Sequence, residues 1–140
     1  MQELVQTTSL PFIAKGIMTP EDAEACVAAG VRIVAVSNHG GRVLDATPGV
    51  AEVLPQIVKQ VDGKVMITAD GGVRTGYDVL KMLALGADAV LVGRDVIRAA
   101  VGGGSMGVNM HMKRLHQTLK RAMVMTGCQD LSHIDTDVIA

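Results

Sequence analysis

Apolar and polar positions along this chain come in blocks rather than alternating residue by residue. Short apolar runs end abruptly at polar residues or glycine, and each is followed by a stretch with helical periodicity. Pro11-Phe12-Ile13-Ala14 ends at Lys15-Gly16, and the run from Val31 to Val36 ends at Ser37. Val65 to Ala69 ends at Asp70, and Ala89 to Val92 ends at Gly93-Arg94. Short apolar runs bounded by turn formers predict strands buried on both faces, as in a parallel sheet covered by helices.

The stretches between them predict helices with readable ends. Thr19-Pro20-Glu21-Asp22 supplies an N-cap, a first-turn proline and an acidic residue three past the cap, with Gly30 as the stop. Thr47-Pro48 opens a second helix, in which Val50, Val53, Leu54, Ile57, Val58 and Val61 keep a 3.6-residue period until Gly63. Thr75-Gly76-Tyr77-Asp78 spells a capping box, followed by an inner stripe of Val79, Leu80, Met82 and Leu83. A short helical piece from Asp95 to Val101 leads through Gly102-Gly103-Gly104 into a long amphipathic helix with Val108, Met112, Leu115, Leu119 and Met123 on one stripe. Its methionines read as core filler. Residues 1–10 read as a leader and 129–140 as a tail, leaving one partial domain over 1–140.

The repeating unit is therefore a strand followed by a helix, four times over. Right-handed crossovers bring the C-terminal end of every strand to one face. Four such units make either half of a (β/α)8 barrel, whose active site lies on that face, or a small open α/β sheet.

Composition narrows the function. The chain has a formal net charge of −1, so no electrostatic case exists for nucleic acid or an anionic membrane surface. Each apolar run is too short to span a bilayer. Aromatic residues make up 1% of the chain, which removes stacking as a recognition mode. Cys26 and Cys128 lie outside any CxxC spacing and read as reduced thiols, and the absence of a secretory pattern points to the cytoplasm. No Cys/His cluster calls for a metal; His111 and His116 are on different helix faces, and His133 lies in the tail.

The strand ends carry the chemistry. Asp70-Gly71-Gly72 with Arg74, and Gly93-Arg94 at a helix start, suit a phosphate through close backbone approach and guanidinium countercharge. His39 and Arg42 leave a buried strand together, so one can take a proton while the other holds a carboxylate. Lys15, at the end of the preceding strand, can stabilise negative charge.

These residues, in this order, resemble a known family. Pro11 to Gly16, Ser37-Asn38-His39-Gly40-Gly41-Arg42-Val43-Leu44-Asp45, Asp70 to Arg74, Leu85-Gly86-Ala87 to Gly93-Arg94, and Met125-Thr126-Gly127-Cys128 are similar to segments of the FMN-dependent L-2-hydroxy-acid oxidases and dehydrogenases, such as glycolate and lactate oxidase. The resemblance implies strands five to eight of a (β/α)8 TIM barrel, that is, its C-terminal half, with FMN as cofactor. It implies His39 as catalytic base and Arg42 as substrate-carboxylate clamp. It places Lys15 by the N1/O2 edge of the flavin ring and Ser37 in contact with the flavin. Asp70, Gly71, Gly72, Arg74, Gly93 and Arg94 would hold its ribityl-phosphate end. The implied reaction converts a small L-2-hydroxy acid to the 2-oxo acid. The family's first four strands bring a tyrosine, a glutamine, a threonine and an aspartate that have no counterpart here, since Tyr77 falls in the third helix. A fragment of this kind is expected to self-associate as a homo-oligomer or to complete itself with an N-terminal half-barrel. Two rival readings are a non-catalytic half-barrel remnant that binds FMN or another phosphate ligand, and an FMN barrel acting on a nucleotide or isoprenoid. The second does not explain Ser37 to Arg42.

Overall fold

The computed structural model describes residues 1–139. A short helix α1 (Gln2–Gln6) precedes four strand–helix units: β1 (Ile13–Ile17), α2 (Pro20–Ala28), β2 (Ile33–Val36), α3 (Val50–Val61), β3 (Met66–Ala69), α4 (Gly76–Ala84), β4 (Ala89–Val90) and α5 (Arg94–Thr126). The strands form one parallel sheet in the order β1-β2-β3-β4. Four consecutive βα units in sequential order are the layout of half a (β/α)8 barrel, as the strand pattern predicts.

Local chemistry accounts for the helix ends. Thr19 caps α2 by accepting from the Asp22 N–H, and Thr75 and Asp78 form a reciprocal capping box on α4. Helix α3 starts at Val50, three residues after Thr47, with Gly49 in the cap position. Its core face is Val50, Leu54, Ile57 and Val61, while Pro55 faces solvent, where a lost backbone bond is met by water. The backbone of α5 breaks at Gly103 and Gly104, separating segment 94–102 from segment 105–126.

The side chains of Ala14, Val34, Val36, Ile67 and Ala69 point to one face of the sheet and pack against Ala23, Cys26, Leu54, Ile57 and Val61 from the helices. Burial raises the Cys26 thiol pKa, and Cys26 and Cys128 are both free. Residues 1–6 join this packing through Val5, and the tail folds into 3-10 turns at Leu131–His133 and Thr136–Ile139.

Two expectations from the apolar pattern need correction. The strands are not covered on both faces: Ile13 is 54% and Met66 49% exposed, because every crossover has the same hand and places its helix on the same side. The opposite face of the sheet, the inner face of a barrel, is open. The methionines of α5 are not core filler either. Met106, Met110, Met112 and Met125 are exposed, because this helix meets α4 through the narrower strip of Leu115, Thr118 and Ala122.

That strip is tight. A Cβ at Gly76 would lie 2.0 Å from the Leu119 backbone nitrogen, and the Gly76 N–H donates to Thr118 Oγ1 at 2.8 Å. One free donor of the α4 N-terminus is thus satisfied by the neighbouring helix. Among the described residues no helix is long and apolar enough to cross a membrane.

Candidate active site

Side-chain alternation along the strands decides what reaches the open face. Lys15, Ala35 and Thr68 pair in register, with Ala89 beside Thr68, and one further step of two residues brings Ser37 and Asp70 to the same face. Here the polar strand ends meet. The Lys15 ammonium donates to Ser37 Oγ at 2.7 Å and lies 3.0 Å from Asp70 Oδ2. Ser37 Oγ donates in turn to Asp70 Oδ2 at 2.9 Å. At 1% exposure Ser37 is the buried polar residue among those described, and it also accepts the His39 N–H at 3.2 Å. A buried hydroxyl needs such partners, and it has three.

Beyond Ser37 the chain turns sharply. His39 sits at φ +55, followed by Gly40 and Gly41 at φ +69 and +71, and the Asn38 side chain closes the turn by accepting from the Gly40 N–H. This 3-10 turn (His39–Gly41) carries the exposed imidazole over the end of β1 and points the chain towards Arg42. Arg42 Nε reaches the His39 carbonyl at 3.5 Å. The guanidinium of Arg94, arriving from the N-terminus of α5, lies against Gly40: a Cβ there would be 3.6 Å from Arg94 Cζ.

These groups border a cleft of about 400 Å³, lined by Lys15, His39, Gly40, Arg42, the stretch Asp70 to Arg74, and the stretch Leu91 to Asp95 with Ile97 and Arg98. Nine of the ten site residues read from the sequence line it. The tenth, Ser37, lies beneath and ties Lys15, His39 and Asp70 together. The cleft is markedly cationic for a chain of net charge −1. Lys15 is paired with Asp70, and Arg98 with Asp95 at 2.9 Å, which leaves Arg42, Arg74 and Arg94 without a carboxylate partner among the described residues. At Gly72 and Gly93 a Cβ would meet nothing within 4 Å, so open space adjoins the backbone. Uncompensated guanidiniums, bare backbone and a helix N-terminus suit a phosphate-bearing ligand.

Asp70, expected at the ribityl-phosphate end of the cofactor, turns its carboxylate to the Lys15 ammonium and the Ser37 hydroxyl. The structure also adds Gly16, Gly40, Asp95 and Arg98 to the neighbourhood. Arg98 was findable, because it lies one helical turn after Arg94. Asp78 is held below the ordinary aspartate range: its partial burial acts the other way and is outweighed by the N–H groups of Arg74 and Thr75 and the Thr75 hydroxyl. This carboxylate anchors the Arg74 loop to α4.

A second, open groove of about 650 Å³ lies between the end of α5 and the tail, lined by Cys128, Asp130, His133, Asp135 and Asp137 among others. Its Asp130 pKa is lowered by the hydrogen bond with His133. Three carboxylates make it unsuited to an anionic cofactor, and it lies apart from the strand ends.

The family model for FMN-dependent dehydrogenases matches residues 1–140. Human 2-hydroxyacid oxidase 1 is 46% identical over 136 residues, which cover 97% of this chain and 37% of that protein. An L-lactate oxidase from a Nostoc species is 41% identical over 139 residues, 99% of this chain and 38% of the relative. The crystal structure of a mandelate oxidase with benzoyl-formic acid superposes with a TM-score of 0.93 at 41% identity, covering 96% of this chain and 40% of the other. A mandelate oxidase variant with a monooxide FMN adduct matches equally well, with a TM-score of 0.93. The chain thus spans well under half the length of each of these relatives.

Proposed function

The chain belongs to the FMN-dependent dehydrogenase family, and from that premise we propose that it supplies the C-terminal, cofactor- and base-bearing half of an L-2-hydroxy-acid oxidoreductase. The observation that carries the proposal is the convergence of His39, Arg42 and Lys15 with two uncompensated arginines and two glycine loops on one cleft. Residues 1–140 form a single partial domain in this reading, with α1 and the tail as its flanks.

Each residue has a task that follows from where it sits. Gly71, Gly72 and Arg74 from one loop, and Gly93 and Arg94 from the next, hold the phosphate of FMN with backbone N–H groups and guanidinium charge. Asp70 and Ser37 hold the Lys15 ammonium in place, so that its charge faces the cofactor's ring. Arg42 clamps the substrate carboxylate, which orients the carbinol group beside His39. His39 then takes a proton from that group through an imidazole nitrogen. FMN, when bound, would take up the two electrons and the second hydrogen as the hydroxyl carbon becomes a carbonyl. An isolated imidazole on an open face lacks the buried carboxylate that such a base ordinarily has to hold its tautomer. Full turnover in this reading therefore requires closure by a complementary half-barrel. Relatives named as lactate, mandelate and other hydroxy-acid oxidases support a small 2-hydroxy acid as substrate.

The test is to titrate FMN into the purified chain and follow flavin fluorescence, alone and with a co-expressed first half-barrel from a relative. Flavin is expected to bind, and Arg94→Ala to weaken it by about tenfold or more, the loss of one charge-assisted hydrogen bond worth roughly 1.5–3 kcal/mol. In the completed barrel His39→Gln is expected to keep flavin bound while abolishing most oxidation of 2-hydroxy acids. No flavin binding under either condition would refute the proposal.

A further inference from the structure

Gly16 interrupts β1 at the foot of the cleft. The register of β1 against β2 slips between Lys15 and Ile17, and the glycine takes φ +97, a left-handed conformation that L side chains rarely adopt. A Cβ built on Gly16 would lie 2.7 Å from Cε1 of His39 and 3.6 Å from each ring nitrogen. The imidazole therefore occupies the space that any larger residue at position 16 would claim. From its own side His39 is held only by main-chain hydrogen bonds among the described residues, its N–H to Ser37 Oγ and its C=O from Arg42 Nε. Those bonds fix where the side chain leaves the backbone and leave the ring free to rotate about its own torsions. The surface that stops it is the bare backbone of Gly16.

We propose that Gly16 is a positioning residue for His39: the slip in β1 and the missing side chain together form the seat that aims the imidazole over the cleft. The proposal rests on the reading of His39 as the base. The clash is with the far edge of a side chain that can swing away, so in Gly16→Ala it is relieved by displacing the ring, while the strain of an L side chain at φ +97 stays in the backbone. Lys15 is still in register, and its ion pair with Asp70 lies on the other side of the slip. The backbone strain is shared with any glycine of similar φ, and the displacement of His39 is what sets this position apart.

The seat can be read directly in the unaltered chain by proton NMR, as a nuclear Overhauser effect between the Gly16 Hα protons and His39 Hε1. Its absence overturns the proposal, even if no variant can be made to fold. In Gly16→Ala that effect is expected to vanish and the His39 Hε1 resonance to shift, while the amide signals of Thr68 in β3 and Asp70 at its end stay in place. Gly86→Ala is the control, because Gly86 also has a positive φ (+99) and its Cβ would meet Val58 Cγ1 at 2.7 Å, remote from the cleft. Its His39 signals are expected to remain unmoved. An unshifted His39 ring in Gly16→Ala, or an equal shift in the control, overturns the positioning role. Neither measurement involves flavin or turnover. A His39→Gln barrel that still turns over would refute the base and leave the seat standing.

Discussion

Replacing Asp70 in two ways separates charge from hydrogen-bond closure in the cluster at the strand ends. Lys15 and Asp70 are 3.0 Å apart, with side chains 46% and 20% exposed. Coulomb attraction at 3.0 Å is roughly 1.4 kcal/mol in water and about 5.5 at an effective dielectric of 20, before desolvation and side-chain entropy are subtracted. A half-exposed lysine keeps much of its hydration, so the net contribution is that of a surface pair, about 1 kcal/mol or less. Asp70→Asn removes the charge but leaves an oxygen that still accepts from Ser37, and is expected to cost about 0.5–1 kcal/mol. Asp70→Ala additionally removes the acceptor of the Ser37 hydroxyl, which is 1% exposed, adding about 1–3 kcal/mol. With a urea slope of about 1–3 kcal/mol per molar, the alanine variant lowers the unfolding midpoint by about 0.5 M or more, and the asparagine variant by at most half as much. The assay is urea unfolding followed by circular dichroism. Equal shifts for the two variants would refute the reasoning, since they would show that the ion pair, and not the buried hydroxyl, sets the cost.

Two further predictions concern what holds the site's supports. Gly76→Ala is expected to destabilise by about 2–4 kcal/mol, combining overpacking against the α5 backbone with loss of the Gly76–Thr118 hydrogen bond; Gly63→Ala, at φ +70 with nothing within 4 Å, should cost only about 1–2 kcal/mol, and the two unfolding midpoints compared side by side check the difference. Asp78, whose pKa is lowered in the folded chain, contributes stability that is fully present above the unfolded aspartate value of about 3.9 and is lost as pH falls from there through the lowered folded value. Thermal melts between neutral and strongly acidic pH should therefore show Asp78→Asn losing part of the acid dependence seen in the parent, and parallel curves would contradict this.

Much of this was legible because its causes are local. The Thr19 and Thr75 caps act over three residues, and the periodicity of α3 names its buried face without reference to anything else. The strand ends were legible for a similar reason: an apolar run must stop where its backbone leaves the sheet, and the residues at that point are whatever function requires. The family resemblance then rested on Ser37 to Arg42 and Asp70 to Arg74 as they stand in the chain.

The tertiary structure decided everything that depends on two distant segments meeting. Asp70 and Ser37 are 33 positions apart, so nothing near Asp70 could show that its carboxylate meets Ser37 and Lys15. Gly16 and His39 are also far apart in the chain, and a lone glycine after a lysine carries no mark of the ring that lies beside it. Apolar content could show that the strands are buried, but not that one face stays open, because that follows from the common hand of the crossovers. Composition and short-range spacing determined the strands, the helix caps and the residues of the cleft. Their contacts, and the partition of the sheet into a packed face and an open one, came only with the packing of segments that the sequence keeps apart.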